Sequence, residues 1–320
     1  MRRMIAVCMV ALLALAVGCK EKSSAEKGQD ALKQVKVPET PDKVVTEAVA
    51  AIKAGNFIAV YAMLPESYQK DVQALYKKFG DKLDAEMWGK IWGTLEKAIA
   101  AAKKHKDKLA QGAPVPPAAF DVAEQFLALA KECKLNDGKA MKELDVAGFL
   151  ADNGKKLSDF GWKTADTFAK PQADEAKKML DSIKAEVKET KENDAVVVIS
   201  MGEDKQEIPF VKVEGKWIPK PLADDWKKAI EKANKDLDKG LAELDKNKAQ
   251  IDGMLKGLDE ALTKFDASGN PADIMGSLGP MMGGLMGGPA GMPEEAPAPE
   301  AAPAPEAAPA PEAAPAPAAN

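Results

Sequence analysis

Arginine is nearly missing from these 320 residues: Arg2 and Arg3 stand at the extreme start, and every other basic residue except His105 is lysine. A chain without the planar guanidinium fork lacks the group that grips phosphate or carboxylate through paired hydrogen bonds. Histidine is reduced to His105, set in the run "AKKHKDK", which is expected to face solvent. Cysteine occurs three times, and no zinc spacing, calcium loop, phosphate loop or nucleophile elbow is present. Carboxylate pairs such as Asp224 and Asp225 carry no signal for acid/base catalysis where 30% of residues are charged. The expectation is a protein that is not an enzyme and carries no cofactor.

Long apolar runs are missing too. The longest, Met4 to Val17, has fourteen residues, short of the roughly 20 that a spanning helix needs. It follows the basic start Met1, Arg2, Arg3 and leads into small residues, which is the layout of a secretory signal peptide over 1–18. Ala16, Val17, Gly18 and Cys19 resemble the lipobox of bacterial lipoproteins, with the usual leucine one place early at Leu15. The resemblance implies cleavage between Gly18 and Cys19 and acylation of the Cys19 thiol and amino group. Two or three acyl chains, each contributing about 0.8 kcal/mol per buried methylene, hold a domain on a membrane without a spanning helix. The blander alternative is an ordinary secretory signal with Cys19 incidental. Lys20, rather than aspartate, follows the cysteine, which by resemblance to the enterobacterial sorting pattern favours the outer membrane, facing the periplasm.

Without residues 1–18 the chain holds 43 lysines against 50 acidic residues, a net charge of −7. Acidic balance and absent arginine argue against a nucleic-acid partner. Cys8 leaves with the leader and Cys19 is acylated, so Cys133, on an apolar helical face in "FLALAKECKL", reads as a buried small hydrophobe. Residues 19–38 are polar and weakly patterned, as in a tether, and order is expected from Glu39.

From there the pattern is helical. Thr40 and Pro41 start a helix that Gly55 ends, and "FIAVYAMLPESYQKDVQALYKKF" continues with a break at Pro65. Amphipathic segments are expected at 83–110, 120–135, 139–152, 155–169 and 172–181, bounded by "GAPVPP", "NDG", "NG" and "KP". Then the period changes: "IKAEVKET", "AVVVISM", "QEIPFVKV" and "KWIP" read as a four-stranded antiparallel meander, with Pro209 at an edge, a bulge or a position whose amide is not needed. The fold class is therefore α+β, mostly helical, with a helical body over 39–220 that ends in the meander. Tyr61, Tyr68 and Trp217 are expected in its core.

"VVTEAVAAIKAGNFIAVYAML", followed by helices and strands ending "IPFVKVEGKWIP", is similar to the nuclear transport factor 2-like (SnoaL-like) cone, particularly small lipoproteins ending in a Gly-Lys-Trp strand. The resemblance covers 40–65 and 172–220 and implies a cone-like pocket. The family's Asp/His or Tyr/Asp chemistry maps onto no position here.

Residues 221–266 form a long amphipathic stretch. Steps of four and three from Trp226 reach Ile230, Ala233, Leu237, Gly240, Leu244, Asn247, Ile251, Met254, Leu258, Ala261 and Phe265, a coiled-coil-like seam about 65 Å long if straight. It either folds back on the chain's own helices or self-associates. The tail, 267–320, is expected to be disordered: "GSLGPMMGGLMGGPAGMPEE" precedes three "PEAAPA" repeats that favour extended polyproline II. Met275, Met281, Met282, Met286 and Met292 are soft donors suited to Cu(I), but without nearby His or Cys they read as pliable apolar residues, and no metal is expected. The function expected is a membrane-anchored envelope lipoprotein with a structural or protein-interaction role and an envelope protein or cell-wall partner. The alternative is a lipoprotein that binds a small apolar ligand in a cone-like pocket.

Overall fold

Pro41 at the first turn of a helix, and Gly55 in the left-handed region (φ 68°) after its last residue, show how closely local chemistry sets the elements. In a computed structural model of the chain, residues 24–112 and 116–273 are described. They fall within one unit, Met1–Ser277. The described helices are α1 (Ser24–Gln34), α2 (Pro41–Ala54), α3 (Phe57–Ala62), α4 (Glu66–Lys82), α5 (Ala85–Lys104), α6 (Lys106–Gly112), α7 (Pro117–Glu132), α8 (Gly138–Lys142), α9 (Val146–Phe168) and α10 (Lys170–Ser182). Strands β1 (Ile183–Lys191), β2 (Asp194–Met201), β3 (Asp204–Val213) and β4 (Lys216–Pro219) follow, then α11 (Lys220–Lys246) and α12 (Lys248–Ser268). The chain is thus a mostly helical α+β protein.

The sheet is an antiparallel meander in the order β1-β2-β3-β4. One face buries Ala195, Val197, Ile199, Ile208, Phe210 and Trp217 with Val44 and Val45 of α2 against them. Pro209 lies opposite Val196 in an inner strand. The amide of Lys212 donates to Asn193 on the β2 side at 2.8 Å, so by alternation Pro209 turns the other way. On that side β4 has already ended, with Pro219 opposite Phe210, and no ladder bond is lost.

A second core joins Tyr68 and Val72 of α4, Val146, Phe149 and Leu150 of α9, and Ile218 and Trp226. Tyr68 stacks on Trp226 with ring centroids 4.1 Å apart, and the Trp226 indole donates to Asp71 at 2.8 Å. Tyr61, Tyr68 and Trp217 are all core residues.

The long helix differs from the expected single rod. It is interrupted at Asn247, and residues 242–250 are exposed throughout, so Leu244 and Asn247 are not packed seam positions. The partner run breaks as well. Helix α11 runs parallel to α4, with Lys78 bonded to Asp238, and α12 runs parallel to α5; between them Lys248 pairs with Asp84, just before α5. Along α5 and α12 the pairs are Lys90–Asp252, Lys97–Asp259 and Lys104–Asp266, one per heptad on each helix. Exposed pairs contribute little stability, but these fix a parallel register. The energy comes from the apolar side, where Met87, Ala101, Ala261, Leu262 and Phe265 are buried. The stretch 248–268 therefore folds back on the chain's own helix.

His105 is also not the solvated residue that its lysine-rich setting suggests. Its ring meets Phe265 edge-on at 5.2 Å, and its Nε2 lies 2.8 Å from the Asp266 carbonyl. Lys104 and Lys108 donate to the Asp266 and Ser268 carbonyls, so three side chains complement the C-terminal dipole of α12.

The expected boundary at "NG" is absent, because α9 runs straight through Asn153 and Gly154. Asn153 is 2% exposed, accepts from the buried Cys133 thiol and donates to the Phe149 carbonyl. A side chain at Gly154 would come within 3.0 Å of the Gly55 carbonyl. The pair is a packing device inside the helix, and the break falls earlier, where Asp145 caps α9.

Phe265 is fully buried at the α5–α12 seam. Phe265→Ala is expected to destabilise the protein by about 3–5 kcal/mol in denaturant unfolding; a loss below about 1 kcal/mol would contradict the packing described.

Candidate functional site

Gly18 and Cys19, the residues singled out for cleavage and acylation, lie outside the described residues, as do the signal peptide, the methionines from Met275 onward and the Pro/Ala repeats. What the structure describes is the ground next to Cys19. Order does not wait for Glu39: α1 begins at Ser24, five residues after Cys19. Its sequence carries a helical signature in "GQDALKQV", with Gly28, Ala31, Leu32 and Val35 on one face. Ala31, Leu32 and Val35 pack on the second core. Gly28 is buried, and a Cβ there would sit 1.9 Å from Asp145 Oδ2 and 2.7 Å from the Gly148 amide nitrogen. Only glycine lets α1 seat on the start of α9 this closely. The tether expected over 19–38 is therefore corrected for 24–34, which folds because its apolar face has a partner.

Beneath α1 lies a polar cluster. The Asp145 carboxylate accepts from the Gly148 amide at 2.7 Å as the cap of α9. Burial raises its pKa above the usual carboxylate value, and the Gly148 bond offsets part of that. Gln73 brackets the same helix start, donating to the Leu144 carbonyl at 2.7 Å and accepting from the Val146 amide at 2.9 Å. The Tyr61 hydroxyl donates to the Gln69 carbonyl at 2.8 Å. Burial, with the negative charge of Asp145 and then Tyr76 adding to it, pushes the Tyr61 phenol well above the usual tyrosine range. Each bond ties a side chain to backbone at a helix end, so the cluster fixes how α3, α4 and α9 meet.

The Gly-Lys-Trp segment does related work. Glu214 (φ 51°) and Gly215 (φ 78°) turn β3 into β4. Lys216 donates to the Ala62 and Leu64 carbonyls at 2.8 and 2.7 Å, at the end of α3, and burial lowers its pKa. Glu214 accepts from the Ser67 amide at 3.1 Å in the first turn of α4, and its bonds from the side chain and backbone of Ser67 hold its carboxyl below the usual range. Helix α4 starts at Pro65 with no side-chain cap of its own. The Trp217 indole donates to the Glu39 carbonyl at 3.0 Å, with the Lys212 ammonium 4.8 Å above its ring.

Among the described residues, no group of three or more His, Cys, Asp or Glu side chains is placed to hold a metal ion, and no helix is long and apolar enough to cross a membrane. Compared with known proteins, the chain matches no family model, no curated protein and no solved structure. The site therefore rests on its own chemistry: a helix docked on the start of α9, beginning five residues after the cysteine that the sequence singles out.

Because burial raises Asp145 in the folded state, its contribution is fully present below the ordinary value of 3.8 and is lost as pH rises through the elevated one. Asp145→Asn keeps a capping side chain and removes the buried charge. The variant is expected to gain stability relative to the parent between pH 3.5 and pH 7, read by denaturant unfolding at both; parallel pH profiles would contradict the burial of Asp145 under α1.

Proposed function

We propose that this protein is a bacterial envelope lipoprotein, acylated on Cys19, with a structural or protein-interaction role. The observation that carries the reading is the sequence "LAVGCK" after a fourteen-residue apolar core and a basic start. The body fits a role that needs shape more than chemistry. The polar side chains beneath α1 and at the β3–β4 turn are committed to helix ends, and the aromatic residues Tyr68, Trp217 and Trp226 to packing. Helix α5 also separates two ends of the body. Ala85, at its start, lies against Gly138, seven residues before Asp145 and the α1 contact; at its finish His105 and Lys108 hold the end of α12. Twenty helical residues span about 30 Å. In this reading the protein faces the periplasm from the outer membrane and meets an envelope protein or the cell wall with the body and tail.

Self-association through 221–266 has one ready surface in this reading, the exposed stretch 242–250 around Leu244, since α5 covers the inner side of α12. The alternative, an apolar ligand held in a cone-like pocket, draws on the Gly-Lys-Trp resemblance. Where such a cone would open, between α2 and the sheet, Val197, Phe210 and Trp217 fill the space, each at most 3% exposed.

Labelling cells with an acyl precursor is expected to mark the parent chain and not Cys19→Ala, and crosslinking in intact cells is expected to capture envelope neighbours. Label retained in Cys19→Ala would overturn the acylation site. A stoichiometric apolar molecule in organic extracts of the purified protein would favour the ligand-binding alternative.

A further inference from the structure

The docking of α1 changes what an anchor on Cys19 can do. A flexible tether to Pro38 would span nineteen Cα steps, which at 3.3–3.6 Å each reach about 65 Å. With α1 seated on α9, five steps separate Cys19 from Ser24, and the reach falls to about 18 Å. A body held that closely stays beside the bilayer, and the first surface to follow the anchor along the chain is the outer side of α1.

That side has its own charge. Residues 19–38 carry five lysines and three acidic residues, whereas the rest of the chain beyond residue 18 carries 38 lysines and 47 acidic residues. On the folded helix Lys27, Lys33 and, just beyond it, Lys36 are exposed, and Asp30 pairs with Lys33 at 3.7 Å. A net-basic stretch of an acidic protein thus adjoins the anchor, and its exposed lysines lie off the inward side formed by Gly28, Ala31, Leu32 and Val35.

We infer that α1 is a membrane-apposition clamp: its Gly28 face locks onto the start of α9 to shorten the tether, and its lysine face lies on anionic lipid headgroups. This rests on the acylation of Cys19 proposed above. Lysines beside an anionic surface attract it over about a Debye length, roughly 8–10 Å, and the shortened tether holds α1 closer to that range than a free one.

The test uses the full chain expressed with its leader, purified from membranes and reconstituted into vesicles whose lipids carry an energy-transfer acceptor. A donor dye is placed on the exposed α9 position by Asp152→Cys, the Cys133 thiol being fully buried. In vesicles of phosphatidylglycerol and phosphatidylethanolamine, transfer is expected to be strong in the parent and to fall by at least half in Gly28→Val, whose added atoms overlap the Asp145 carboxylate. A Gly/Ser insertion of about fifteen residues between Ser23 and Ser24 leaves every described contact in place and is expected to give the same fall, adding about 50 Å of reach. Unchanged transfer in either variant overturns the clamp. Lys27→Glu, Lys33→Glu and Lys36→Glu together are expected to lower transfer on the anionic vesicles and leave it unchanged on phosphatidylcholine. An identical response on the two lipids overturns the headgroup contact. Intact mass separates the two levels: an unacylated chain overturns the lipoprotein reading with the clamp, whereas an acylated chain insensitive to Gly28→Val overturns the clamp alone.

Discussion

Two helix ends face each other across Met63, Leu64 and Pro65, and the way their charges are met seats the sheet on the helices. The end of α3 presents carbonyls and the start of α4 presents amides, a negative and a positive pole a few residues apart. The β3–β4 turn supplies the complement to both, Lys216 at the carbonyls and Glu214 at the amides. This contact joins parts of the chain about 150 residues apart and seats the sheet on the helices. Helix α11 follows directly from β4, so its place beside α4 is set there, and the Tyr68–Trp226 stack holds it. From α11 the chain passes Asn247 to α12, whose register against α5 is read out by lysine and aspartate at heptad spacing.

Lysine does throughout what arginine does in many proteins, and the geometry reflects the difference. The ammonium is a compact point charge with three donors, suited to the converging carbonyls of a helix end. Lys216 serves α3 in this way, and Lys104 and Lys108 serve α12. Elsewhere lysines form half-exposed pairs with aspartate or glutamate that orient helices without carrying much of the stability, which comes from the buried apolar side chains.

Much of the fold was legible in the sequence. The four strands stood out because β-branched residues alternate there and charged two- to four-residue turns separate them. Pro209 was correctly confined to a position that needs no amide. The seam from Ile251 to Phe265 was legible as a period, but its partner was not. The lysines at 90, 97 and 104 and the aspartates at 252, 259 and 266 share a spacing of seven, and matching those two series would have pointed to α5. Asn153–Gly154 misled because a dipeptide that favours turns in isolation here allows close packing inside α9. Helix α1 was missed because its apolar face is only four residues wide and Gly28 lowers its propensity; the value of that glycine appears only against Asp145. The candidate site divides the same way. The lipobox resemblance is carried by a linear signal, whereas the docked helix behind it is a tertiary fact.

These features describe a body that begins at α1 and is braced by helix-end electrostatics. The central claim is that residues 24–34 are part of the body and not a tether. Hydrogen exchange across α1 in the full-length chain tests it most directly. Amide protection in Leu32 and Val35 is expected to be comparable to that of Phe149 and Leu150, the α9 residues in the same core. Exchange at the rate of an unstructured peptide would contradict it.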